Sequence, residues 1–368
     1  MAFGNNSSEA AEGLPWFFQV VDSLSTSYDP VHFPLILVIC SLGSLFHVIN
    51  ILVLSRKNMQ TPYNVLLLRL SVAQLFLLVG NLNLIGLDLL SGKCDLYGLP
   101  AAYFKLIVVN LNVVSHTVSM GLTLLLTVFR FIGVTWPTYG LLICRSAPAK
   151  TSSAVVFAVV PGLCLPVYFC SVVAEYPSFC GGNETTYDLG YGNNDVVMFV
   201  SWFFGILFKL GPATIIAILS IFLIRSLSAS ASRHKAMILK RADYLTAVRV
   251  TNYPHVGSPA AVTGSPLLLS SRPPSPRKRR KSGSVTRMLV AVALFCAAVE
   301  IPHGTLNLIV ALEGRDFAEQ VYDKLGALLE MLTLLYSSCN FVLCCSMNSD
   351  FTETLLRVFC GKFRPVRK

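Results

Sequence analysis

Glu300 and Glu330 are carboxylates embedded in long apolar runs, and Arg130 is a guanidinium near the end of another. Ionisable side chains in such runs are expensive to bury, so they turn toward a protein interior or a watery cavity and mark function. In a helix the ten residues from Glu330 to Asn340 cover about 15 Å along the axis. Two carboxylates toward the same end of a helical bundle form a counterion pair for a cationic ligand group. The competing reading for Glu300 is an internal hydrogen bond to His303 or Asn307. Asn112 and His116 share one helical face with Ser119 close by. That stripe reads either as a pocket floor or as interhelical hydrogen bonding, worth about 0.6–2 kcal/mol per bond in lipid. His116 has no partner at metal-ligand spacing, and no paired histidines, Gly-x-Ser-x-Gly or aspartate pair points to hydrolysis. The chemistry on offer is recognition of charge, and neither a metal nor a cofactor is implied.

The elements that must carry these side chains are seven apolar stretches, over residues 32–54, 64–90, 103–134, 153–175, 195–225, 285–312 and 321–347. A bilayer core of about 30 Å needs about 20 helical residues, and each stretch is long enough. Hydrophobic residues make up 54% of the chain and charged ones 13%, too few charges for a soluble protein of this length. The expected fold is an all-α membrane protein, a seven-transmembrane helix bundle over 32–347. Residues 1–31 form its outer terminus, and 348–368 a short cytoplasmic amphipathic helix and tail.

The net charge of +10 is concentrated in four segments, after the first, third and fifth spans and in the tail. By the positive-inside rule these face the cytoplasm, which puts the N-terminus outside a plasma membrane. The first thirty residues agree, since they contain no Lys or Arg. The glycosylation sequons at Asn5, Asn6 and Asn183 all fall on the outer side. No basic segment with an apolar core precedes residue 32, so the first span is expected to act as its own signal anchor.

Seven of the eleven cysteines lie inside spans as small apolar fillers. Cys94 and Cys180 remain in the outer loops, where a disulfide between them competes with two free thiols. The loop over 226–284 is rich in Pro, Ser and Gly in its second half and reads as disordered, with helical extensions of the flanking spans. Its basic run Arg277 to Lys281 suits anionic membrane lipids better than nucleic acid. Ser282 and Ser284 follow that run as kinase targets, and phosphate there weakens the attraction to lipid. Cys360, past the last span, is a candidate for palmitoylation.

The motifs resemble those of rhodopsin-like G-protein-coupled receptors over residues 35–360. Gly43 and Asn50 mark the first span, Leu70-Ser71-Val72-Ala73 the second, and Phe129-Arg130-Phe131 through Trp136-Pro137 the third. Pro212, Pro302 and Asn340-Phe341 mark the fifth, sixth and seventh, with Phe351 opening the final amphipathic helix. The segments Glu300-Ile301-Pro302-His303-Gly304 and Leu328-Leu329-Glu330-Met331-Leu332 are similar to those of invertebrate FMRFamide and myosuppressin peptide receptors. The resemblance implies an extracellular peptide ligand, amidated and cationic, and a heterotrimeric G protein as partner. The residues expected to meet that ligand are Glu330, Glu300, His303, Asn112 and His116, and those expected to couple are Arg130 and Phe131.

Arg130 then reads as a latch released when a cytoplasmic partner inserts, against the simpler reading of an arginine snorkelling to the interface. Several positions depart from the family pattern. Gln74 replaces a sodium-binding aspartate, Phe129 stands before the arginine, and Glu300 replaces the toggle tryptophan. Cys344 replaces a tyrosine, and the fourth span has no tryptophan. Lys105 replaces the usual outer cysteine, so that any disulfide uses Cys94 instead. A chemosensory receptor for a small molecule has the same architecture. A transporter is disfavoured, because no internal repeat is visible and seven spans do not halve.

Overall fold

The computed structural model describes residues 16–91, 98–176, 185–226, 228–229, 276–314, 317–347 and 349–360. Helices α1 (Trp16–Leu54), α2 (Pro62–Ser91) and α3 (Leu99–Thr135) are followed by a short helix α4 (Pro137–Ile143) and by α5 (Ser146–Leu163). A two-stranded antiparallel hairpin comes next, β1 (Ser171–Tyr176) with β2 (Thr186–Tyr191), in a register that pairs Ser171 with Tyr191. The remaining helices are α6 (Asn194–Ser226), α7 (Pro276–Glu313), α8 (Asp323–Ser338), α9 (Asn340–Met347) and α10 (Ser349–Cys360). Seven of the described helical segments are long and apolar enough to cross a membrane.

Local chemistry sets several boundaries. Asn193 caps α6 by accepting a hydrogen bond from the Asp195 amide at 2.9 Å. Pro137 opens α4, a position where its missing N–H costs nothing. In α6 a π turn over Gly205–Leu210 precedes Pro212, and the Gly211 amide donates five residues back to the Ile206 carbonyl. A π turn inserts an extra residue and re-aims the side chains around it. It places Lys209, 8% exposed, inside the bundle.

The core runs along the bundle axis through Leu66, Leu70, Leu122 and Leu126, and it reaches Phe351 of α10. Phe76, Ile107 and Val155 point outward, as lipid-facing residues do. On the polar axis Asn340 donates a hydrogen bond to Gln74, so a neutral amide pair ties α9 to α2 at the position where the resemblance expects a sodium-binding carboxylate. Helices α6 and α7 approach closely at Gly304, where a Cβ would come within 2.8 Å of the Lys209 Cβ.

Two elements differ from the sequence reading. Helix α1 begins at Trp16 instead of near residue 32, and it continues through Pro30 and Pro34. Its outer turns are held by the buried Val21 and by an ion pair from Asp22 to Lys324 at 2.5 Å. Residues 171–175, expected in the fourth span, are strand: α5 ends at Leu163 and a 3-10 segment over Leu165–Phe169 leads into β1. At the end of the long loop, where a helical extension of the sixth span is expected, the backbone from Pro276 onward is helical and continuous with α7.

Candidate functional site

A cavity of about 390 Å³ opens between the helices at the end of the bundle that carries the hairpin. Its walls are mostly apolar, with Leu77, Val113, Val200, Phe204 and Leu334 among them. The polar groups that converge on it are few. Glu330 projects from α8 into the cavity and keeps solvent access there. Among the described residues it makes no hydrogen bond or ion pair. Asn112 lines the same cavity with a buried carbonyl oxygen that has no partner among the described residues.

The floor is a cluster drawn from four parts of the chain. The Lys209 ammonium lies 3.2 Å from Glu300 Oε2, 3.1 Å from His303 Nδ1 and 3.2 Å from His116 Nε2. Glu300 Oε1 in turn lies 3.2 Å from His116 Nε2. An ammonium only donates, so His303 Nδ1 accepts from it and the ring proton sits on Nε2. That nitrogen donates to the Tyr322 hydroxyl at 3.0 Å. The cluster therefore joins α3, α6, α7 and a second π turn, over Ala318–Tyr322 just before α8, through one chain of contacts.

Of the ligand residues expected from sequence, Glu330, His303, Asn112 and His116 line the cavity. Glu300 does not: it is fully buried beneath the floor and paired with Lys209 and His116. The two carboxylates are thus not a matched counterion pair at the mouth. Glu300 is neutralised from within, and Glu330 is the one that meets the cavity. Lys209 was missed, although a lone cation inside an apolar run carries the same signal as Glu300.

The rim above the cavity is tied by polar contacts. Lys105 of α3 pairs with Asp188 of β2 at 2.9 Å, and the Tyr191 hydroxyl donates to Asp323 at 2.6 Å. Lys105 stands where the resemblance expects the outer cysteine, so an ion pair fastens the hairpin to the third span. Reversing one charge, as in Lys105→Glu, should lower the Tm of the detergent-solubilised protein by a few degrees. The reciprocal pair Lys105→Glu with Asp188→Lys should restore it; no recovery would show that the pair does not hold the hairpin.

At the opposite end, Arg130 is 6% exposed and its guanidinium lies 4.5 Å over the Tyr63 ring. Phe131 packs edge-on against Trp136 and Phe222, with centroids 5.6 and 6.5 Å away. Cys94, Cys180, Asn5, Asn6 and Asn183 lie outside the described residues. Ser282 and Ser284 fall on the first turns of α7, and Cys360 ends α10.

A family model described as 7 transmembrane receptor (rhodopsin family) matches residues 46–343. The chain belongs to that family. It is also similar to the Caenorhabditis elegans protein named G-protein coupled receptor dmsr-1, at 24% identity over 94% of this chain and 71% of that one. Members of the rhodopsin family are signalling receptors and not enzymes: an external ligand acts through the bundle on a heterotrimeric G protein. In this receptor the cavity, with Glu330 unpaired among the described residues, lies at one end. Arg130, buried, lies at the other.

Proposed function

We propose that this receptor sits in the plasma membrane with its N-terminus outside and binds an extracellular neuropeptide that is amidated and cationic. The observation that carries the reading is Glu330, an accessible carboxylate without an ion-pair or hydrogen-bond partner among the described residues, on the wall of a mostly apolar cavity. Such a group pairs with an entering cation, and opposite charge steers encounter and discriminates partners. About 390 Å³ has room for the end of a peptide, whose remainder would rest on the rim of α1, hairpin and α8. The basic loops on the other side and the sequons on the outer side support this orientation.

A small environmental cation fits the same volume, so the ligand screen separates the two readings. Cells expressing the receptor should give a nanomolar second-messenger response to one member of a panel of amidated peptides. The panel includes Phe-Met-Arg-Phe-amide and myosuppressin types. Silence across the panel, with the receptor counted at the surface, would overturn the peptide reading in favour of a small-molecule ligand.

A further inference from the structure

Helix α1 runs over 39 residues, about 58 Å, whereas about 20 residues cross the hydrocarbon core. It ends at Leu54, just before the basic Arg56 and Lys57, so the excess projects from the end of the bundle that carries the hairpin. Ile36, Cys40, Gly43, His47 and Asn50 are buried and turn one side of the helix to the bundle. The opposite side is apolar as well. Leu24, Val31, Val38, Leu45 and Leu52 stand seven residues apart, and each is between 44% and 54% exposed. Val20, Ser27, Pro34, Ser41 and Val48 repeat at the same interval between them and are exposed too. The two series form one heptad seam from Val20 to Leu52. A straight helix drifts about 20° per heptad against such a repeat, so a repeat kept this long suits a left-handed pair of helices. The small residues in it let two backbones approach closely.

We propose that this seam is the contact between two copies of the receptor, paired through α1 about a two-fold axis along the membrane normal. Lipid covers the seam where it crosses the hydrocarbon. Val20, Leu24 and Ser27 lie beyond that layer, where with Ser23 they line a shallow groove along the helix, and lipid chains do not follow them into water. Two copies in one membrane share its orientation, so their α1 helices run parallel and each seam residue meets its own counterpart. Such a contact tolerates no charge on the seam, because every charge would face its own like. The helix has no Lys or Arg, and its acidic residues Asp22 and Asp29 share the heptad position of the buried Ile36, Gly43 and Asn50, away from the seam. Asp22 pairs instead with Lys324 of the same chain. Neither the ligand nor the G protein enters this inference.

The test is cysteine cross-linking of the full chain on intact cells, in the part of the seam outside the membrane. Ser27→Cys and Leu24→Cys place a thiol where the parallel pair brings two Cα atoms to about 6 Å, within disulfide reach. Mild oxidation should turn most of the surface receptor of either variant into a covalent dimer that reductant reverses. Asp29→Cys, exposed on the other side of the same turns, should give no more dimer than the unsubstituted chain. Energy transfer between differently labelled copies, at equal surface count, gives a second reading. Leu24→Arg in both copies should lower it, as should Leu24→Glu in both, and one copy of each should restore it. No dimer from either seam cysteine, or as much from Asp29→Cys, would overturn the pairing. So would unchanged transfer in Leu24→Arg together with a weakened peptide response, which would give this face to the bound peptide.

Discussion

Lys209→Met should sharply reduce the amount of folded receptor, and Glu300→Gln should do nearly the same, while the two together recover much of the loss. The side chains of Lys209 and Glu300 are 10% and 0% exposed, so water does not screen their pairing. Removing one partner of a buried ion pair leaves the other charge uncompensated, at a cost of about 3–5 kcal/mol. Removing both leaves a Met and a Gln of similar volume in a site that still holds two histidines. Buried pairs replaced in this way are often neutral in stability. The measurement is thermal unfolding of detergent-solubilised protein for the two single variants and the double. Strongly non-additive losses are expected, because the two residues touch. Additive losses would show that the pair is not the element joining α6 to α7.

This position also ties the pair to movement of the bundle. Lys209 lies in the π turn of α6, and Glu300 lies two residues before Pro302 in α7. Both are places where the backbone hydrogen-bond ladder is already interrupted and a helix bends at low cost. An ion pair across two such points joins α6 to α7 directly beneath the cavity. His116 and His303 reach the cavity wall and the pair together, so a ligand pressing on either ring acts on it.

The seven spans were legible because hydropathy over about 20 residues is a strong signal. The floor was legible only in its parts. His116, Glu300 and His303 each stood out singly, yet their meeting at one lysine is a tertiary fact. Lys209 itself is diluted by its apolar neighbours on both sides. The π turn that aims it lies against Gly304 and has no period of its own in sequence. Strand β1 was misread because Ser171, Val172, Val173 and Ala174 prolong an apolar run, and a run so short does not distinguish strand from helix. The early start of α1 was hidden by Pro30 and Pro34, which ordinarily mark a helix end. The outer part of α1 nevertheless meets α8, as Asp22 does with Lys324.

Glu330→Gln should behave in the opposite way to Lys209→Met, leaving the folded amount unchanged and weakening a cationic peptide agonist. Glu330 makes no ion pair among the described residues, so its neutral isostere strands no buried charge and costs little stability. A hydrogen bond to a charged group contributes about 1.5–3 kcal/mol, which is roughly ten- to 150-fold in potency. An agonist in which arginine is replaced by neutral citrulline should already lack that contribution. On this analogue the substitution should then have little further effect, and the two changes close a thermodynamic cycle. Equal losses for both agonists would mean that Glu330 shapes the cavity without meeting the cation. Unchanged potency for the cationic agonist would remove Glu330 from the ligand site. Because Glu330 lines the cavity and Glu300 does not, the same peptide pair on Glu300→Gln separates their roles. There the two agonists should lose potency alike, since Glu300 acts through Lys209 and not on the ligand's charge.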